Sequence, residues 1–172
     1  VLALGSETDT RLIEGDEQHV LGLKTLEDGI ALRNHVIRMF EAASGGDDDP
    51  SKLLTFCVVG GGTNGVQTAG ELNEMVRREL PRDYTAISPD RVRVILIQDD
   101  PRLLPDLHPR IALWARQALE DQGVEVWTGT PVGQVGDGCL TLEDGRRVES
   151  HSTIWTPGIV ANPVIRDLQG VE

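Results

Sequence analysis

The sequence predicts a three-layer α/β fold: a mainly parallel sheet with helices packed on it and a small antiparallel sheet inserted. Three observations predict it. Residues 53–59 form an apolar run that leads straight into Gly60, Gly62 and Gly65 and then into a helical period. Residues 91–97 form a second apolar run, dense in Val and Ile, of the kind buried on both faces of a parallel sheet. Residues 132–149 break into three short segments separated by Asp137-Gly138 and Asp144-Gly145, and Asp-Gly is a strong hairpin signal.

Each element follows from local chemistry. Residues 1–5 read as the end of a strand, and residues 7–22 as an irregular linker. Thr25 and Asp28 have the spacing of a capping box, so a helix starts there, with Leu26, Ile30, Val36, Ile37 and Phe40 as its apolar stripe. Residues 44–50, with two glycines, three aspartates and a proline, end it as a solvated loop. After the glycine motif, Val66, Ala69, Leu72, Val76 and Leu80 fall on one helical face over residues 66–80. Residues 81–89 are a loop. Residues 109–122 are a helix closed by Gly123, residues 124–127 a short strand, and residues 152–156 a returning strand ended by Pro157-Gly158.

Composition narrows the function classes. The chain has 172 residues, 39% of them hydrophobic, enough for a real core. It carries 28 acidic against 16 basic residues, a net charge of −12, which argues against a nucleic-acid partner. No apolar run approaches the ~20 residues of a membrane span, and no basic-flanked secretory leader is visible. Cys57 and Cys139 lie far apart without a C-x-x-C, so no redox disulfide is expected, and Cys57 reads as a small buried hydrophobe. His19, His35, His108 and His151 are dispersed without metal-ligand spacing, and no metal site is expected. Trp114, Trp127 and Trp155 read as packing anchors.

The glycine motif points to a dinucleotide. In a strand–loop–helix setting, Gly60 permits the tight turn, Gly62 lets a pyrophosphate approach the backbone, and Gly65 lets the helix pack closely on the sheet. The phosphates would lie at the helix start, where free N–H groups and the helix dipole favour negative charge. The fold is therefore Rossmann-like, with an inserted β-meander.

That order of elements, with GLKTLED at 22–28, LRNH at 32–35, VGGGTNGV at 59–66, AGEL at 69–72, RLLP at 102–105, GVEV at 123–126 and IWTPG at 154–158, resembles the pyridine nucleotide-disulfide oxidoreductases. Within them it is most similar to the type II NADH dehydrogenases, the NADH:quinone oxidoreductases. The resemblance implies an NAD(P)H-binding domain of a larger two-dinucleotide flavoprotein in which NADH passes a hydride to FAD and the electrons go on to a quinone. It divides the chain into residues 1–22 (end of a flavin-domain segment and linker), 23–50 (connecting helix and acidic loop), 51–158 (the NAD(P)H-binding domain) and 159–172 (the start of the return to the flavin domain). With a single glycine motif, this segment is expected to bind nucleotide without FAD and without turning over alone. Its implied partners are the rest of the flavin domain, a quinone and a second copy in a possible homodimer. The implied location is cytoplasmic, peripheral on the inner face of the membrane. A ferredoxin reductase-like protein and a non-catalytic NAD(H)-sensing module are the alternatives.

The candidate cofactor-binding residues are Gly60, Gly62, Thr63, Asn64, Gly65, Gln67, Gln98, Asp99 and Gly158, with no catalytic residue assigned. The sequence departs from the family at three of them. Asn64 and Gln67 stand where the family commonly has Thr and Glu, which leaves no ionisable group at position 67 for proton work. Glu71, one turn on, could substitute for it, but in a chain this acidic it reads first as an exposed helix carboxylate. Gln98 stands at the end of the second strand, where a carboxylate normally binds the adenine ribose. Glutamine does not repel a 2′-phosphate, but Asp99 and Asp100 adjoin it, so NADH is expected as reductant with NADPH possible. Gly158 would let the nicotinamide ribose come close.

Overall fold

The computed structural model of the chain describes residues 6–8, 19–46, 49–161 and 164. Strands β1 (Ser6–Thr8), β2 (Val20–Gly22), β3 (Thr55–Val59), β4 (Arg93–Ile97) and β5 (Glu125–Trp127) are followed by the meander β6 (Val132–Gly136), β7 (Cys139–Leu142) and β8 (Arg147–Glu149), then β9 (Ser152–Trp155) and β10 (Ile159–Ala161). The helices are α1 (Leu26–Gly45), α2 (Pro50–Leu53), α3 (Thr63–Glu74) and α4 (Pro109–Asp121).

The main sheet has the order β2-β9-β3-β4-β5, all parallel, and the meander forms its own antiparallel sheet, β6-β7-β8. Every residue of β3 is buried, as expected of a central strand covered on both faces. On one face lie the helices, and Leu32, Val36 and Phe40 of α1 meet Phe56, Ala69, Leu72 and Leu96 there. Phe40 sits against Phe56 and, edge-on, against Tyr84, with ring centroids 6.4 and 5.6 Å apart. On the other face Cys57, Val59, Ile95, Ile97 and Trp155 are covered by Val135, Leu140, Leu142 and Val148 of the meander. Cys57 and Cys139 are both free thiols, and burial pushes the Cys57 thiol up to about 12.

The Thr25–Asp28 capping box is present: the Asp28 N–H donates to Thr25 Oγ1 at 3.1 Å and the Thr25 N–H to Asp28 Oδ2 at 2.8 Å. These backbone donors, from Thr25 first and then Lys24, hold the Asp28 carboxyl below its ordinary range.

Several expectations are corrected. The stretch read as a linker contains β2, which pairs with β9 at the sheet edge, and overlaps the end of β1, which pairs antiparallel with β10. Three-residue edge strands are too short to show an alternation. Residues 1–5 lie outside the described residues. Leu26 and Ile30 are 76% and 51% exposed, because α1 faces the sheet through Leu32, Val36 and Phe40 instead. Leu53 ends α2, whose N-terminus is capped by Asp49, so the first central strand starts at Thr55. Of the acidic loop, Asp47 and Asp48 lie outside the described residues. The helix read over residues 66–80 keeps its apolar face, but α3 gives way to a widened turn at Met75–Glu79 and a tight turn at Leu80–Arg82. Trp114 is 72% exposed and anchors no core.

Candidate dinucleotide site

The glycines after β3 are required for different reasons. Gly60 adopts φ +99°, and a Cβ there would meet Thr156 Oγ1 at 2.7 Å and Pro157 Cγ at 2.9 Å. At Gly65 a Cβ would fall 1.7 Å from the Gly60 carbonyl oxygen, so α3 rests on the loop itself more tightly than on the sheet. At Gly62 nothing lies within 4 Å of a Cβ position. Its absence of side chain leaves open space in front of the backbone, the condition for a phosphate to approach. Gly62 is also the N-cap of α3 and offers no side-chain oxygen to the first turn. The first N–H groups of α3 are therefore free to bind an anion.

Gly61, outside the G-x-G-x-x-G pattern, is clasped from both sides. Its N–H donates to Gln98 Oε1 at 2.6 Å, and its carbonyl accepts from the Leu104 N–H at 2.8 Å. A Cβ there would meet Leu103 Cδ2 at 2.7 Å. Leu104 takes φ +50° to make this contact. The Gly60 N–H donates to the Ile97 carbonyl at 2.8 Å, and the Thr156 hydroxyl to the Val59 carbonyl at 2.7 Å. The loop is thus stitched to the ends of β4 and β9. The Gln98–Gly61 bond, the Leu104 clasp and the Thr156 bond were missed by sequence reasoning, since each joins residues at least 37 positions apart.

The structure separates the candidate residues into two hollows. Gly60, Gln98 and Asp99 line a crevice of ≈ 260 Å³ at the carboxyl ends of β3, β4 and β9, together with Thr130, Trp155 and Pro157. This is where parallel α/β sheets bind ligands. Gln98 is buried and Asp99 exposed. Because Oε1 of Gln98 accepts from Gly61, its amide nitrogen is the atom left for a ligand. Asn64 and Gln67 instead line a groove of ≈ 540 Å³ between α1 and α3, beside Arg33, Glu71 and Met75. Gly62 and Thr63 are exposed between the two, and Gly158 follows β9 with φ +69°.

Two of the histidines have local structural partners. His35 Nε2 lies 2.9 Å from Ser152 Oγ at the foot of β9, and burial, with Arg38 next, holds its pKa below the ordinary value. His108 caps α4 by accepting the Arg110 N–H at Nδ1, 3.2 Å away. Among the described residues no group of three or more His, Cys, Asp or Glu side chains is placed to hold a metal ion.

All 172 residues match the family described as pyridine nucleotide-disulphide oxidoreductase. The chain belongs to that family. It is 36% identical over 149 residues to the type II NADH:quinone oxidoreductase NdhA of Mycobacterium tuberculosis, a match covering 83% of this chain and 32% of that protein. It is 30% identical over 175 residues to the external alternative NAD(P)H-ubiquinone oxidoreductase B1, mitochondrial, of Solanum tuberosum, covering 97% of this chain and 30% of that one. The chain thus spans about a third of the length of these relatives. Its fold is shared with the NDH2 of Plasmodium falciparum in complex with NADH, at TM-score 0.87 and 20% identity over 94% of this chain and 34% of that one. The Rossmann-like architecture with an inserted meander is that of the family. Among the described residues no helix is long and apolar enough to cross a membrane.

Proposed function

We propose that the protein carrying this chain is a flavin-dependent NADH:quinone oxidoreductase and that this chain holds the NADH. The observation that carries the reading is the uncapped start of α3, opened by Gly62 at the carboxyl end of a parallel sheet. The activities for which the relatives are named support the reductant and the quinone.

In this reading the amides of Thr63, Asn64 and Gly65 take the pyrophosphate. Asp99 accepts from the adenine-ribose hydroxyls, and the Gln98 amide nitrogen faces the same ribose. Gly158 gives the nicotinamide ribose room. Gln67 and Asn64 face the groove side of α3 and contribute no ionisable group, so the carboxylates there are Glu71, Glu74 and Glu79, of which Glu71 is nearest to Gln67 along the helix. FAD, held by the rest of the protein, would supply the hydride acceptance and electron relay that no side chain of this domain provides. This chain has one glycine motif, and the reading assigns it to NADH, with the flavin held by the rest of the protein and the isolated domain inactive. The reading takes the whole protein to be peripheral on the inner face of the membrane, where it would meet a quinone, and to assemble as a homodimer.

The reading also makes NADH the preferred nucleotide while admitting NADPH. A Gln98 amide nitrogen can donate to a 2′-phosphate, but the exposed Asp99 and Asp100 repel one. Calorimetric titration of NADH and NADPH into wild type and Gln98→Glu tests this. Both nucleotides bind wild type, NADH more tightly. The substitution weakens NADPH at least about tenfold relative to NADH, a change of ~1.4 kcal/mol. Failure of either nucleotide to bind wild type would overturn the reading, and an unchanged ratio would remove Gln98 from discrimination.

A further inference from the structure

Trp155 ends β9, is 5% exposed, and lines the strand-end crevice beside Gly60, Val132 and Pro157. Its indole Nε1–H is buried and has no hydrogen-bond partner among the described residues. An indole nitrogen can only donate, and buried donors in folded proteins are nearly always satisfied. The apolar side chains packed on this side of the sheet, Val20, Val59, Ile97 and Val132, carry no acceptor, and the polar residues that line the same crevice, Gln98, Asp99, Thr130 and Glu143, make no bond to it. Among the described residues two other buried atoms lack partners, Asn73 Oδ1 and Arg77 Nε, but these belong to residues that bond the Gln122 and Gly123 carbonyls, where α3 and the turn after it meet the end of α4. Trp155 differs because it lines a cavity.

Strand order says which part of a ligand it meets. In the sheet β2-β9-β3-β4-β5, β9 and β4 flank β3 on opposite sides. The adenine ribose belongs at the end of β4, where Asp99 stands, and the phosphates belong at the start of α3. A dinucleotide laid across these strand ends turns its other half toward β9. We infer that the Trp155 Nε1–H donates to an oxygen on the nicotinamide half, its carboxamide or its ribose, and that Trp155 is a substrate-binding residue. The inference rests on the reading that this crevice takes NADH.

The test uses the intact protein with ¹⁵N-labelled tryptophan. The Trp155 indole signal is the one missing from the Trp155→Phe or Trp155→Tyr spectrum. The probes are NAD⁺, which transfers no hydride to an oxidised flavin, and its two halves, nicotinamide mononucleotide and ADP-ribose. NAD⁺ and nicotinamide mononucleotide move the Trp155 indole proton downfield and slow its exchange with water, and ADP-ribose does not. Trp155→Phe, which keeps an aromatic ring in the wall, binds NAD⁺ about threefold to tenfold more weakly and ADP-ribose as before. If NAD⁺ binds and the indole signal stays in place, the inference is overturned while the NADH reading stands. If ADP-ribose moves the signal as far as NAD⁺, the assignment to the nicotinamide half is overturned. If NAD⁺ does not bind wild type, both fall.

Discussion

The groove between α1 and α3 and the crevice at the strand ends lie on either side of one glycine loop, yet they are built from different material. The groove is the larger, ≈ 540 against ≈ 260 Å³. Its walls are helical side chains such as Arg33, Gln67, Glu71 and Met75. The crevice is walled by strand ends and by a loop tied at Gly60, Gly61 and Thr156 to neighbouring strands. On the proposed reading the smaller hollow, not the larger, takes the nucleotide. Donors held in place before a ligand arrives cost little to organise when it binds, and the crevice has them.

The sharpest way to break this comparison lies inside the loop. Gly65→Ala puts a Cβ 1.7 Å from the Gly60 carbonyl oxygen. It is expected to destabilise the fold by about 3 kcal/mol or more, a fall of roughly 10 °C in Tm by differential scanning calorimetry. A Tm within a degree or two of wild type would show that the loop yields and that the stitching is loose.

Gly62→Ala probes the same loop from the ligand side. Its Cβ meets no protein atom, so Tm holds within the ~0.5 kcal/mol of a surface substitution. NADH affinity falls at least about tenfold, because the Cβ occupies the approach to the phosphates. Equal affinity would move the pyrophosphate elsewhere. Next comes Gln98→Leu, which leaves the Gly61 N–H buried and unpaired at a cost of about 2 kcal/mol, read by urea denaturation.

His35, which lines neither hollow, supplies a further test. Burial keeps its native pKa below the ~6.5 of the unfolded chain. Between those two values the unfolded chain binds a proton that the native one refuses. This contribution to stability is full above ~6.5 and is lost as pH falls toward the native value, with a slope of at most ~1.4 kcal/mol per pH unit. His35→Gln flattens that slope, and an unchanged stability–pH curve would show that His35 does not titrate differently on folding. The smallest effect belongs to the groove: Glu71→Gln leaves NADH affinity within about twofold, below ~0.4 kcal/mol. A larger loss, seen by calorimetry, would bring the groove into the binding site.

How legible the molecule was in its sequence depended on the range of the interactions. The capping box at Thr25 and Asp28, the Asp-Gly turns and the end of α4 near Gly123 read correctly because each is settled within a few residues. The edge strand β2 did not, because three residues carry no period and only the exposed flank of β9 makes them a strand. Leu26, Ile30 and Trp114 misled for the converse reason: an apolar side chain announces burial only if its face turns toward the sheet.

By itself the sequence determined the strand, the glycine loop, the helix and the meander, since backbone freedom at glycine, caps and buried runs act over short stretches. It also placed Gly60, Gly62 and Gly65 in the loop that lies beside Gln98 and Asp99. Only the tertiary structure decided what those residues do there. Parallel pairing of β3 with β4 on one side and β9 on the other brings Gln98 against Gly61, Thr156 against Val59 and the unpaired indole of Trp155 into the crevice wall. A hydrogen-bond partner is chosen by distance in space, and strand order, which no local pattern encodes, sets that distance.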